Sequence, residues 1–99
     1  MPLKTYQILD VYRFEGYRTF VVEAVEDTDD DLPLFGTFEL ELINANEVEL
    51  DPIADANFIQ QIKDRDIFFT DIKDIYYDVI LESIGLPDSV KGYKIVEPI

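Results

Sequence analysis

Alternation at a period of two dominates the start of the chain. Tyr6, Ile8, Tyr12 and Phe14 share one parity, and Phe20, Val22 and Ala24 share one in the run that follows. Aromatic and β-branched residues in such an alternation are the mark of half-buried strands. Residues 5–14 and 17–26 therefore predict a β-hairpin closed at Glu15-Gly16, where Gly supplies the positive φ of a tight turn. The pattern breaks over 27–33, an acidic loop of sequence Asp-Thr-Asp-Asp-Asp-Leu-Pro. It resumes over 37–43, where Phe38, Leu40 and Leu42 alternate with Thr37, Glu39 and Glu41. Asn44-Ala45-Asn46 is turn-prone, and 47–50 alternates again as a short fourth strand.

The period then lengthens. Asp51-Pro52 signals a helix start, with Asp accepting from orphan amides and Pro at the first helical position; Asp55 is a rival cap. This first helix runs to near Lys63 with Phe58, Ile59 and Ile62 inward. Thr70 caps a second, longer helix reaching about Ile84. Its stripe is Phe69, Ile72, Tyr76, Ile80 and Ile84 at three- and four-residue steps, widened by Ile75 and Val79. Gly85 suits the left-handed position after a helix, and Pro87 bars continuation. Residues 65–69 read as a linker or an extra helical turn. Residues 90–97 form the last strand, with Gly92 marking a bulge or an edge. The predicted fold is α+β: a mainly antiparallel sheet of four to five strands with two helices packed on one face. The element order is β-β-β-(β)-α-α-β, in a single domain over 1–99.

Charge changes the picture more than composition does. Apolar residues are 47% of the 99 and aromatics 13%, enough for a core, so disorder is the wrong expectation. Twenty-two Asp and Glu against eight Lys and Arg leave a net charge of −14. Small soluble domains need magnitudes of only about 2–8, and the excess costs stability through self-repulsion. A basic partner, adaptation to high salt, or neutral drift would each account for it. Direct nucleic-acid binding is disfavoured, because a phosphate backbone would be repelled; anionic membrane surfaces are disfavoured for the same reason. Met1 to Asp10 lacks the apolar core of a signal peptide, and no stretch has the apolar length of a membrane span. A cytoplasmic protein is expected.

Three sets of carboxylates stand out. Asp71, Asp74, Asp78 and Glu82 recur at offsets of three, four and four, which on one helix places them along a line. Tyr77 falls on the flank of the apolar stripe, within reach of Asp74 and Asp78, where a ring and carboxylates together would grip Arg-rich surfaces; it reads equally as a half-buried ring capping the core edge. Glu39 and Glu41 share a strand face, as do Glu47 and Glu49, and pairing of the two strands would crowd four carboxylates into a patch. Asp29, Asp30 and Asp31 extend the acidic loop. Asp27, Asp29 and Asp31 match the first alternating ligand positions of a calcium loop. Leu32 stands where that loop requires Gly, however, and Phe38 where it requires Glu. Each set also reads as a solvated acidic face, and Lys4, Arg13, Arg18 and Lys94 are available to bridge the sheet patch.

Chemistry finds little footing. With no His and no Cys, the commonest general base and the strongest nucleophile are missing, and Ser83 and Ser89 lack an activating arrangement. Four glycines form no phosphate loop. The expectation is a protein that is not an enzyme, with no cofactor, no metal and no catalytic residue. In size and charge the chain resembles phage-type DNA-mimic inhibitors, a functional class that includes anti-CRISPR, anti-restriction and uracil-glycosylase-inhibiting proteins. Members of that class share no fold, so the likeness covers composition and no motif. It implies a viral or phage protein that occupies the basic, nucleic-acid-binding surface of a target protein. The alternative is a non-inhibitory interaction or assembly subunit that binds through apolar surface.

Overall fold

The computed structural model describes residues 4–26, 31–45, 65–84 and 90–98. Six strands form one sheet: β1 (Lys4–Phe14), β2 (Tyr17–Val25), β3 (Leu34–Thr37), β4 (Ile43–Asn44), β5 (Ile67–Lys73) and β6 (Lys94–Glu97). They lie in the order β3-β6-β1-β2-β5-β4. One helix, α1 (Asp74–Ile84), is present among the described residues.

The predicted hairpin is there. β1 and β2 pair antiparallel from Thr5↔Val25 to Phe14↔Tyr17, and Gly16 turns the chain at φ 91°. Its register carries a break that the alternation hides. Ile8 faces Val22 and Asp10 faces Val21, so Leu9 is an extra residue. The Asp10 carboxylate accepts a hydrogen bond from the Val11 N–H at 2.8 Å, holding the bulge. Parity shifts there: Tyr6, Ile8 and Val11 face one core, whereas Leu9 and Tyr12 face the other.

The expected antiparallel sheet beneath two helices is corrected in three respects. β3 runs parallel to its neighbour β6, so the sheet is mixed. Residues 67–73 form a strand, and helix begins only at Asp74. Thr70, expected as a helix cap, is a buried strand residue opposite Phe20. The reason lies in β2, where Phe20, Val21 and Val22 are all 0% exposed. A strand buried on both faces must pair both edges, because buried N–H and C=O groups cannot be left without partners. Ile67-Phe68-Phe69-Thr70, aromatic and β-branched, supplies the second ladder. Finally, 38–42 is not a strand, although its alternation survives: Phe38, Leu40 and Leu42 are half-buried against the core, and Glu39 and Glu41 are exposed. The predicted strand at 47–50 and helix at 51–63 lie outside the described residues.

The sheet is strongly curved. β3 and β2 are three strand spacings apart, about 14 Å on a flat sheet, yet the rings of Phe35 and Phe20 stand 5.4 Å apart. Segment 38–42 leads from β3 at one edge to β4 at the other. Six residue steps reach at most about 21 Å, short of the roughly 24 Å that five flat spacings would demand. Curvature closes the gap. The concave side holds Tyr6, Ile8, Phe20, Val22, Phe35, Ile72, Tyr77, Val90 and Ile95; the other holds Val21, Ala45, Ile67 and Phe69. Among the described residues, no helix is long and apolar enough to cross a membrane.

At Gly36, β3 runs close beneath Phe38 and Ile80 with no room for a side chain. A Cβ built there would lie 2.6 Å from Phe38 Cε2 and 3.2 Å from Ile80 Cδ1. Gly36→Ala should therefore destabilise the fold by about 1–3 kcal/mol through overpacking, read as a lower midpoint in urea. Shortening the ring with Phe38→Leu in the same chain should recover part of the loss.

Outside the core, Arg65 forks onto Glu23, with Nε donating to Oε2 at 2.5 Å and Nη2 to Oε1 at 2.9 Å. That hydrogen-bonded guanidinium holds the Glu23 carboxyl below its usual range. A carboxyl with a lowered folded-state pKa contributes stability above its unfolded pKa and loses it as pH falls through the folded value. The stability gap between the native chain and Arg65→Ala should accordingly be present at about pH 7 and vanish towards about pH 2, as followed by thermal melts.

Candidate protein-interaction surface

β5 passes into α1 without a loop, and its last residues set the helix phase. The Asp74 N–H donates to the Gly16 carbonyl at 3.1 Å, tying the helix start to the hairpin turn. Arg18 Nε donates to Asp74 Oδ1 at 2.9 Å, and its guanidinium lies 4.3 Å from the centroid of the Tyr77 ring. Asp74 also sits in the first turn of the helix, where the macrodipole favours an anion. One arginine thus joins the hairpin to two residues of the helix.

From this start the faces of α1 follow. Tyr77 is 3% exposed, with its ring 6.0 Å from those of Phe20 and Phe35, and Ile80 and Leu81 pack beside it. Tyr77 is therefore a core residue, which corrects its expected place among the partner-binding side chains and goes further than the half-buried position at the core edge. The residues expected inward point out: Ile75 is 64% exposed, Val79 58% and Tyr76 53%. At 3.6 residues per turn, Ile75, Asp78 and Glu82 project within about 60° of one another. Turning the Ile75 side inward would bury two carboxylates, at a cost far above that of two exposed aliphatic side chains. The helix settles on Tyr77.

The row of four carboxylates does not exist as a line. Asp71 belongs to β5 and shares the sheet face of Phe69, opposite α1, where the Thr19 hydroxyl donates to its Oδ1 at 2.6 Å. Asp74 is held by Arg18. Asp78 and Glu82 remain together on α1, one turn apart and exposed. Glu39 and Glu41 lie exposed on segment 38–42, which packs against the same core face as α1. A groove of about 440 Å³ is lined by Glu39, Asp71, Lys73 and Tyr76. Among the described residues, no Lys or Arg forms an ion pair with Asp78, Glu82, Glu39 or Glu41. Glu47, Glu49, Asp29 and Asp30 lie outside the described residues; Asp31 is exposed just before β3.

A second open pocket, of about 630 Å³, is lined by Phe14, Tyr17, Leu42, Ile43 and Phe69, with Glu41 and Asp71 as its carboxylates. Among the described residues, no three His, Cys, Asp or Glu gather to hold a metal ion.

What sequence reasoning missed is Arg18 as the anchor of α1 and the outward position of Ile75 and Val79. A signal for the second was present. Ile75-Tyr76-Tyr77 and Val79-Ile80-Leu81 make α1 apolar over about two thirds of its circumference, wider than one packed face covers. Comparison with protein-family models, with curated proteins and with solved structures finds no match in any of the three.

The Arg18–Asp74 bond is testable apart from any function. A double-mutant cycle with Arg18→Ala and Asp74→Ala should give a coupling of about 0.5–1 kcal/mol. Arg18→Ala alone should cost more than Asp74→Ala, because it also uncovers the Tyr77 ring. Equal single losses would remove the ring contact from the account.

Proposed function

We propose that this chain is a non-enzymatic, cytoplasmic binding module whose carboxylates dock onto a basic, nucleic-acid-binding surface of a target protein, in the manner of DNA-mimic inhibitors. The observation that carries the reading is the set of exposed carboxylates at Asp78, Glu82, Glu39 and Glu41 without ion-pair partners among the described residues. It stands on a chain of net charge −14. Like charges one turn apart on a helix cost a few tenths of a kcal/mol. A cationic surface placed against them reverses the sign of that cost and steers association from a distance.

The alternative, an assembly subunit that binds without inhibiting, is favoured by a different observation: the exposed Ile75, Tyr76 and Val79. Exposed apolar side chains clustered on one element mark interaction sites.

Salt and competing DNA separate the two readings. Immobilised basic nucleic-acid-binding domains should retain the chain at low ionic strength, and duplex DNA should displace it competitively. Affinity should fall steeply as the Debye length shortens from about 30 Å at 0.01 M to about 8 Å at 0.15 M. Asp78→Lys with Glu82→Lys should abolish retention and leave the circular dichroism spectrum unchanged. Retention indifferent to salt and to DNA would reject the mimic in favour of the assembly subunit.

A further inference from the structure

The outward side of α1 has the composition of half an interface. Ile75 and Val79, four residues apart, form a ridge along the side of the helix opposite Tyr77. Both are β-branched, which lowers helix propensity, so neither serves the helix where it stands. Tyr76 broadens the ridge on one flank, and Asp78 and Glu82 line the other. We propose that this ridge is the docking surface for an amphipathic helix of a partner protein whose apolar stripe is bordered by Lys or Arg. The inference rests on the proposed function for the sign of the partner's charge and goes beyond it in naming the contact.

Charge complementarity selects the occupant. Two copies of this chain meeting ridge to ridge would bring together two bodies each of charge −14, and in the antiparallel arrangement would set Asp78 and Glu82 against the same carboxylates of the copy. A basic helix meets the same carboxylates with attraction. Geometry suits a helix: an i, i+4 ridge fits the groove between residue rows of a second helix, at an axial separation of about 8–10 Å. The eleven residues of α1 span about 16 Å, three turns of a partner. The arrangement is helix-on-helix recognition read through a few apolar anchors, with flanking charges that fix orientation.

The test uses the full chain and three synthetic peptides of about 18 residues, long enough to hold helix. One carries Leu along a single face and Lys on both borders. The second is its scramble, with equal charge and no stripe. The third has Glu for every Lys. The striped Lys peptide should bind and shift the backbone resonances of residues 75–82. Ile75→Ser with Val79→Ser should weaken it at least about tenfold, while Asp78→Asn with Glu82→Asn should weaken it less and flatten its salt dependence. All four positions are exposed, so each variant should keep the native spectrum. Equal binding of the scramble, with shifts spread over the acidic surface, would overturn the ridge and leave the basic-partner reading standing. Equal binding of the Glu peptide would overturn the basic-partner reading itself. Self-association of the chain that Ile75→Ser and Val79→Ser abolish would assign the ridge to a second copy and overturn the proposal.

Discussion

Burial of β2 on both faces governs the rest of the structure. Phe20, Val21 and Val22 are consecutive and fully buried, and consecutive strand residues point to opposite sides. The sheet must therefore be covered twice, and β2 must be paired on both edges. β1 pairs one edge through the hairpin; β5 pairs the other and carries Ile67 and Phe69 to the second face. The first face is covered by bending the sheet over Phe20, so that Phe35 from the far edge and Tyr77 from α1 meet that ring from two sides. The bulge at Leu9 contributes to the bend, since an extra residue in one strand increases local twist. Without it, Val11 and Tyr12 would exchange faces.

The sequence discloses features governed by neighbours in the chain and conceals those governed by distant ones. The hairpin is local: alternating aromatic and β-branched residues around Glu15-Gly16 suffice, and the turn forms at Gly16 with the φ it was chosen for. The strand at 67–73 is not local. Phe69 and Ile72 fit a helical stripe as well as a strand, and Asp71 fits a line with Asp74. The decision belongs to the open edge of β2, which no window around Thr70 contains. The acidic row fails for the same reason, because a strand-to-helix boundary between Lys73 and Asp74 sends Asp71 to the other side of the sheet. Alternation over 37–43 gives the right answer for the wrong element. Phe38, Leu40 and Leu42 turn inward because they lie across a curved core; the Phe38 N–H still donates to the Val96 carbonyl at 3.0 Å, but 38–42 is not a strand.

The phase of α1 shows how an electrostatic constraint overrides a hydrophobic one. Counting apolar residues alone leaves two faces of the helix nearly equal. Arg18 breaks the tie by holding Asp74 at the helix start and lying on the Tyr77 ring, while Asp78 and Glu82 exclude the competing face from the core. Fixing Tyr77 inward necessarily fixes Ile75 and Val79 outward, so the solvent-facing ridge follows from how the core was assembled. The stability of the domain does not explain why those two positions are aliphatic, since a Lys, Gln or Ala at either would suit an exposed helix better.

Two costs thus sit side by side on eleven residues: aliphatic surface in water, and carboxylates one turn apart. Each is minor alone, and neither relieves the other among the described residues. A purely anionic partner contact would explain the carboxylates and leave the ridge idle; a purely apolar one would leave the carboxylates repelling each other across its border. A cationic helix with an apolar stripe removes both at once. Desolvating Ile75 and Val79 also lowers the local dielectric around Asp78 and Glu82, which strengthens their attraction to the flanking cations. The argument for one interface on α1, in place of separate acidic and apolar sites, is that each half makes the other stronger.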